Sequence, residues 1–71
     1  MNAALTSKET STSYRFNVEH DGQTYQVQIW LNEKGKFIDQ EIELNEEIID
    51  DDTIEDAIVD YLDKNWDTLT R

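Results

Sequence analysis

Apolar and polar residues alternate along two neighbouring segments in the first half of the chain, with Asp21-Gly22 between them. Alternation places successive side chains on opposite faces of a strand, and Asp-Gly accepts the positive φ angles of a type I′ turn. The pattern predicts a β-hairpin in which His20 pairs with Gln23. All apolar residues that alternate along the two strands then lie on one face: Tyr14, Phe16, Val18, Tyr25, Val27, Ile29 and Leu31.

A second turn is expected at Asn32-Glu33-Lys34-Gly35, followed by a third strand over residues 36–44. The length of this turn decides which side chains face the core, because a shift by one residue exchanges the two faces of a strand. A four-residue loop pairs Ile29 with Ile38 and keeps the apolar residues together. A three-residue loop would place Ile29 opposite Asp39, so we predict the four-residue loop.

The predicted register leaves three acids on the outer face of the sheet, namely Asp39, Glu41 and Glu43. It also makes Trp30 and Phe37 an outward cross-strand pair. Exposed aromatic residues can anchor a binding partner. Such pairs also stabilise sheets without binding anything, and the segment around Leu5 would be able to cover them, so the stabilising role is favoured.

A helix is predicted from Asp52 to about Leu69. Asp52-Thr53-Ile54-Glu55 is typical of a helix start, because Asp52 can accept from first-turn N–H groups while Glu55 reaches back. Apolar residues then recur at steps of three and four: Ile54, Ala57, Ile58, Tyr61, Leu62, Trp66 and Leu69. This stripe is wide enough to cover a three-stranded sheet.

These elements predict an α+β fold, with a three-stranded antiparallel sheet in the order βββα and one C-terminal amphipathic helix packed on one face. We expect residues 14–71 to form a single domain. Residues 1–13 are mostly small and polar without an apolar period, which predicts a flexible Ser/Thr-rich N-terminal tail. A chain of 71 residues has a small core and little room for an internal active site.

The formal net charge of −11 lies entirely in the second half of the chain, where thirteen acids face two bases after Ile38. Such a field favours a positively charged partner and disfavours direct contact with nucleic acid or an anionic membrane. The absence of cysteine and the single histidine, His20, argue against a metal centre, and we expect no cofactor. Without a signal-like N-terminus or a long apolar run, a cytoplasmic protein is expected.

The predicted helix carries aspartates on the face away from the sheet: Asp52, Asp56, Asp60, Asp63 and Asp67. Like charges three or four residues apart destabilise an isolated helix by roughly 0.2–0.5 kcal/mol per pair, and only Lys64 interrupts the series. The stripe would extend about 22 Å, with carboxylates about 6 Å apart, close to the spacing of phosphates along a nucleic-acid strand. It would therefore suit a groove that binds phosphates through arginine and lysine. A face that only keeps a small protein soluble is an alternative of similar weight.

A second acidic cluster precedes the helix and consists of Glu46, Glu47, Asp50, Asp51 and Asp52. An EF-hand loop needs glycine at its sixth position and glutamate at its twelfth, whereas counting from Asp50 these positions hold Glu55 and Tyr61. A calcium site is therefore disfavoured. We interpret the cluster as a continuation of the anionic surface.

Neither a nucleophile–base pair nor a phosphate-binding loop is present, so we expect a protein that is not an enzyme. In size, charge and acid spacing, residues 39–67 resemble the small acidic inhibitors, including anti-restriction and anti-CRISPR proteins, that phages and mobile elements deploy against host DNA-binding proteins. The leading hypothesis is a mimic of nucleic-acid phosphates that inhibits a basic DNA- or RNA-binding protein or a nuclease complex.

The alternative hypothesis is a small acidic adaptor or housekeeping domain that docks through its sheet, with Trp30 and Phe37 as anchors. Self-association as a homodimer, through this aromatic patch or an unpaired edge strand, is a further option.

Overall fold

The computed structural model describes all residues from Met1 to Arg71 and shows an α+β fold. Five antiparallel strands lie side by side in chain order, followed by two helical segments. The elements are β1 (Asn2–Thr10), β2 (Ser13–His20), β3 (Gln23–Leu31), β4 (Phe37–Leu44), β5 (Glu47–Ile48), α1 (Asp52–Lys64) and α2 (Trp66–Leu69). The α+β class is confirmed, whereas the predicted count of three strands was too low. Neither helix is long and apolar enough to cross a membrane.

The hairpin of β2 and β3 has the predicted register, with His20 paired with Gln23 and Phe16 with Val27. Asp21 and Gly22 both have positive φ, at 50° and 77°, as the type I′ turn requires. Phe16, Val27 and their apolar neighbours on the same face are buried and form most of the core.

Residues 1–13, which we expected to form a flexible tail, contain the nine-residue strand β1. Ala3 pairs with Val18 and Leu5 with Phe16, and both β1 side chains pack against the core. The weak signal that was missed is the alternation of Ala3 and Leu5 with exposed neighbours. Threonine also favours strands, so a Ser/Thr-rich composition alone does not indicate disorder.

The predicted register between β3 and β4 is wrong. The turn closes as a three-residue loop, because the Asn32 N–H donates to the Lys36 carbonyl at 2.8 Å. An irregularity then follows, so that Ile29 pairs with Gln40 rather than with Ile38. A bulge inserts one extra residue into a strand and restores the alternation beyond it. Ile38 takes up this bulge and is 63% exposed.

This register also corrects the predicted pairing of Trp30 with Phe37. Phe37 pairs with Leu31 on the core face, and its ring lies 5.1 Å from that of Trp66. Trp30 is on the outer face as predicted, half-buried and opposite Asp39.

The helix starts at Asp52, but Asp51 is its N-cap residue rather than Asp52. The Asp51 carboxylate accepts from the N–H groups of Thr53 and Ile54 at 3.0 and 3.3 Å. The single helix predicted to extend to about Leu69 is interrupted at Asn65, whose side chain donates to the Tyr61 carbonyl at 2.8 Å. Five residues of the predicted apolar stripe lie in the core or pack against it: Ile54, Ile58, Leu62, Trp66 and Leu69.

Candidate functional site

Four aspartates lie exposed on α1, on the side opposite its buried residues Ile58 and Leu62. We refer to them as the helix acids: Asp52, Asp56, Asp60 and Asp63. They extend over about 16 Å of helix at 1.5 Å per residue. Asp67, the fifth predicted member, is exposed on α2 beyond the interruption at Asn65 and does not continue the same straight series.

Only one helix acid has a basic partner. Lys64 Nζ lies 3.0 Å from Asp60, and both side chains are mostly exposed. The other ion pair of the chain is Arg15–Glu9, and His20 lies 3.5 Å from the Asp21 carboxylate, both in the first half. An exposed pair of this kind contributes little to stability, so the negative field along α1 is largely uncompensated.

An open groove separates α1 from the turn between β3 and β4 and has a volume of about 630 Å³. Three helix acids, Asp56, Asp60 and Asp63, lie along the α1 side of this groove. Phe37 and Val59, both half-buried, supply its apolar lining. Acidic groups beside an apolar surface suit a lysine or arginine side chain, whose aliphatic stem packs while its charged end forms hydrogen bonds.

The groove was not predicted, because it depends on the tight turn that carries Lys36 and on the bulge that turns Phe37 inward. Asn32 organises this turn, since its side chain accepts from the N–H groups of Lys34 and Lys36 at 2.9 and 3.0 Å. Asn32 and Gly35 at the ends of the turn are its signal in the sequence. Lys36, which also lines the groove, places one positive charge opposite the helix acids.

The sheet acids Asp39, Glu41 and Glu43 lie on the outer face of β4, as predicted, opposite Trp30, Gln28 and Gln26. This face is turned away from α1, which packs on the other side of the sheet. A flat partner surface therefore cannot contact the sheet acids and the helix acids at once.

Glu46, Glu47, Asp50 and Asp51 of the second predicted cluster, the loop acids, connect these two surfaces around the β4–β5 edge, whereas its fifth member, Asp52, belongs to α1 and is one of the helix acids. Glu46 lies in a turn with φ 68°, and Glu47 belongs to β5. Asp51 is held by its capping hydrogen bonds, so its role in the structure is to start α1.

Asp50, Asp52 and Glu55 bring one carboxylate oxygen each within 4.8 Å of one another. Glu55 is half-buried and accepts a hydrogen bond from the Gln40 side chain. Ca²⁺ takes about six to eight oxygen ligands, and three side chains fall well short of that number. The Glu55–Gln40 contact instead fixes the first turn of α1 to β4.

No protein-family model, curated protein or solved structure matches the chain. The surface chemistry of the helix acids and the adjoining groove is therefore the guide to what this chain binds.

Proposed function

We propose that this chain is a non-enzymatic cytoplasmic protein that binds the phosphate-binding groove of a basic DNA- or RNA-binding protein, or of a nuclease complex, and inhibits it competitively. The helix acids act as phosphate surrogates in this proposal. The observation that carries it is their arrangement: four exposed carboxylates on one side of α1, of which only Asp60 has a basic partner.

Stability of the fold does not account for this arrangement. Asp56 and Asp60 are four residues apart, as are Asp52 and Asp56, and such like-charged pairs destabilise a helix. Aspartate is a weak helix former, and Asp63 also lies at the C-terminal end, where the helix dipole disfavours an anion. A helix selected for stability alone would alternate acids with lysines.

Binding would use the geometry of the phosphate–arginine interaction. Arginine donates two parallel hydrogen bonds to a carboxylate or a phosphate, and successive helix acids offer carboxylates about 6 Å apart. The groove beside them adds apolar contact through Phe37 and Val59. A partner lysine or arginine that enters this groove gains both interactions.

The other acids contribute mainly through their field. The sheet acids and the loop acids extend the negative potential around the β4–β5 edge, which steers a basic partner toward this side of the molecule. Steering of this kind raises the association rate and is screened by salt over about 8 Å at physiological ionic strength.

The adaptor alternative receives less support, because Phe37 packs against Trp66 instead of standing beside Trp30 on the outer face. Trp30 alone remains there, half-buried.

The experiment is capture of partners from a lysate at low salt, with three parallel samples eluted by a salt gradient, by duplex DNA and by RNA. We expect nucleic-acid-binding proteins that elute with salt and with at least one of the two nucleic acids. If neither DNA nor RNA displaces any captured protein, phosphate mimicry is excluded.

A further inference from the structure

The two edges of the sheet differ in whether their outward-directed backbone N–H and C=O groups form hydrogen bonds. On β4, the Gln40 N–H donates to the Asp39 carboxylate at 2.8 Å, and the Ile42 carbonyl accepts from the Ile49 N–H at 2.8 Å. Acidic side chains also flank this edge and repel a second acidic molecule. These features protect the β4–β5 edge against pairing with another strand.

The β1 edge has open backbone groups at Ala3 and Leu5. The Leu31 N–H donates to the Thr12 carbonyl at 2.7 Å. The backbone N–H and C=O groups of the even-numbered residues in this part of the chain are therefore directed toward β3. The backbone groups of the odd-numbered residues of β2 are therefore directed toward β1, where Asn17 pairs with Ala4. Because directions alternate along a strand, Ala3 and Leu5 direct their N–H and C=O groups away from the sheet. No hydrogen bond outside the strand ladders involves them.

We propose that the β1 edge pairs with the same edge of a second copy of this chain, giving a two-fold symmetric dimer with a continuous ten-stranded sheet. An antiparallel pairing centred on Ala4 sets Ala3 opposite Leu5 of the second copy. This pair and its symmetry mate each form two backbone hydrogen bonds, so the interface contains about four in all. The segment is therefore complementary to itself, as a two-fold interface requires.

The side chains fit this arrangement. Ala3 and Leu5 are half-buried on the core face, and pairing would extend the apolar surface from one copy into the other. Ala4 lies on the outer face at the symmetry axis, where Cα atoms of a non-hydrogen-bonded pair approach to about 4.5 Å, and its methyl group is small enough for this. The register irregularity that follows Leu5 limits the paired segment to residues 3–5 and their immediate flanks.

Charge favours pairing at the β1 edge over pairing at the acidic β4–β5 edge. Residues 1–7 contain no charged side chain, and the chain contains no proline to block pairing. With strands about 4.8 Å apart, the acidic β5 edge lies about 19 Å from β1, which is more than two screening lengths at physiological ionic strength. In the dimer the two acidic edges would be about 43 Å apart, so their repulsion is small and both stay accessible.

The test combines sedimentation equilibrium with amide hydrogen exchange on the full chain from micromolar to millimolar concentration. We expect a reversible monomer–dimer equilibrium. The amides of Ala3 and Leu5 should exchange more slowly as the concentration rises, whereas that of Ala4 is protected throughout because it bonds to β2. The exchange measurement needs no variant.

The Ala3→Pro variant removes an outward N–H on an edge strand, where proline is tolerated. It should raise the dimer dissociation constant about tenfold or more, since both copies lose a donor. The control carries Ile38→Lys and Ile48→Lys, which change the two exposed isoleucines near the opposite edge, and should dimerise like the original chain. A monomer at every concentration, or a dimer that only the control variant dissociates, would overturn the proposal.

Discussion

The aromatic rings of Phe37 and Trp66 pack edge to face, with their centroids 5.1 Å apart. Trp66 also contacts Tyr14 and Phe16, so this side chain joins the start of β4 to the hairpin core. Because α1 ends two residues before Trp66, the contact fixes the end of the helix beside the β3–β4 turn. The groove lined by Asp56 and its neighbours depends on this placement.

Replacement of Phe37 by alanine tests this packing. We expect the free energy of unfolding to fall by about 1–3 kcal/mol, because the half-buried ring loses its packing against Trp66. Urea denaturation followed by far-UV circular dichroism measures the loss. An effect within about 0.5 kcal/mol, typical of surface sites, would show that the ring does not pack on Trp66.

The opposite is expected for Ile38, which follows Phe37 and takes up the bulge. Ile38→Lys should change the free energy of unfolding by no more than about 0.5 kcal/mol, since the side chain is 63% exposed. In the register with Ile38 opposite Ile29, the same change would bury a charge and cost several kcal/mol. The same urea titration therefore distinguishes the two registers.

Asp51 and Asp52 form a matched pair for the helix start. Asp51→Ala should destabilise the fold by about 1 kcal/mol, because the N–H groups of Thr53 and Ile54 lose their acceptor. Asp52→Ala should stay within about 0.5 kcal/mol, since the lost dipole interaction is offset by relief of its repulsion with Asp56. Equal losses in thermal and urea denaturation would contradict the assignment of Asp51 as the cap.

The helix acids should destabilise the isolated chain. We expect the free energy of unfolding to rise with added sodium chloride, because salt screens repulsion among unpaired carboxylates. A variant with Asp56→Lys, Asp60→Lys and Asp63→Lys should be at least as stable as the original chain at low salt and show a weaker salt dependence. Marked destabilisation of this variant would mean that these aspartates support the fold.

Local patterns predicted the hairpin and the helix well. The alternation around Asp21-Gly22 predicted the whole pairing register of β2 and β3, and the apolar stripe from Ile54 identified the packed face of α1. The register of β4 could not be derived in the same way, because a three-residue loop followed by a bulge gives nearly the same side-chain alternation as a four-residue loop. The backbone hydrogen bond between Asn32 and Lys36 and the exposure of Ile38 distinguish the two.

The candidate site was predicted in part. The helix acids follow directly from helical spacing, so their common exposure was expected. The separation of the sheet acids onto the opposite surface depends on how α1 packs. Strand β1 was missed because only two of its side chains, those of Ala3 and Leu5, pack against the core. Both features depend on tertiary contacts that local patterns do not encode.

Two charge-matched variants test directly whether the helix acids bind a basic protein in place of nucleic acid. One carries lysine at positions 56, 60 and 63, and the control carries Glu9→Lys, Glu19→Lys and Glu33→Lys in the first half. Each reversal adds two charges, so either variant changes the formal net charge from −11 to about −5. The measurement is capture of the DNA-displaceable partner from a lysate by each chain.

We predict that the control retains the partner while the helix variant loses it. Equal capture by both variants would show that the helix acids do not form the binding surface.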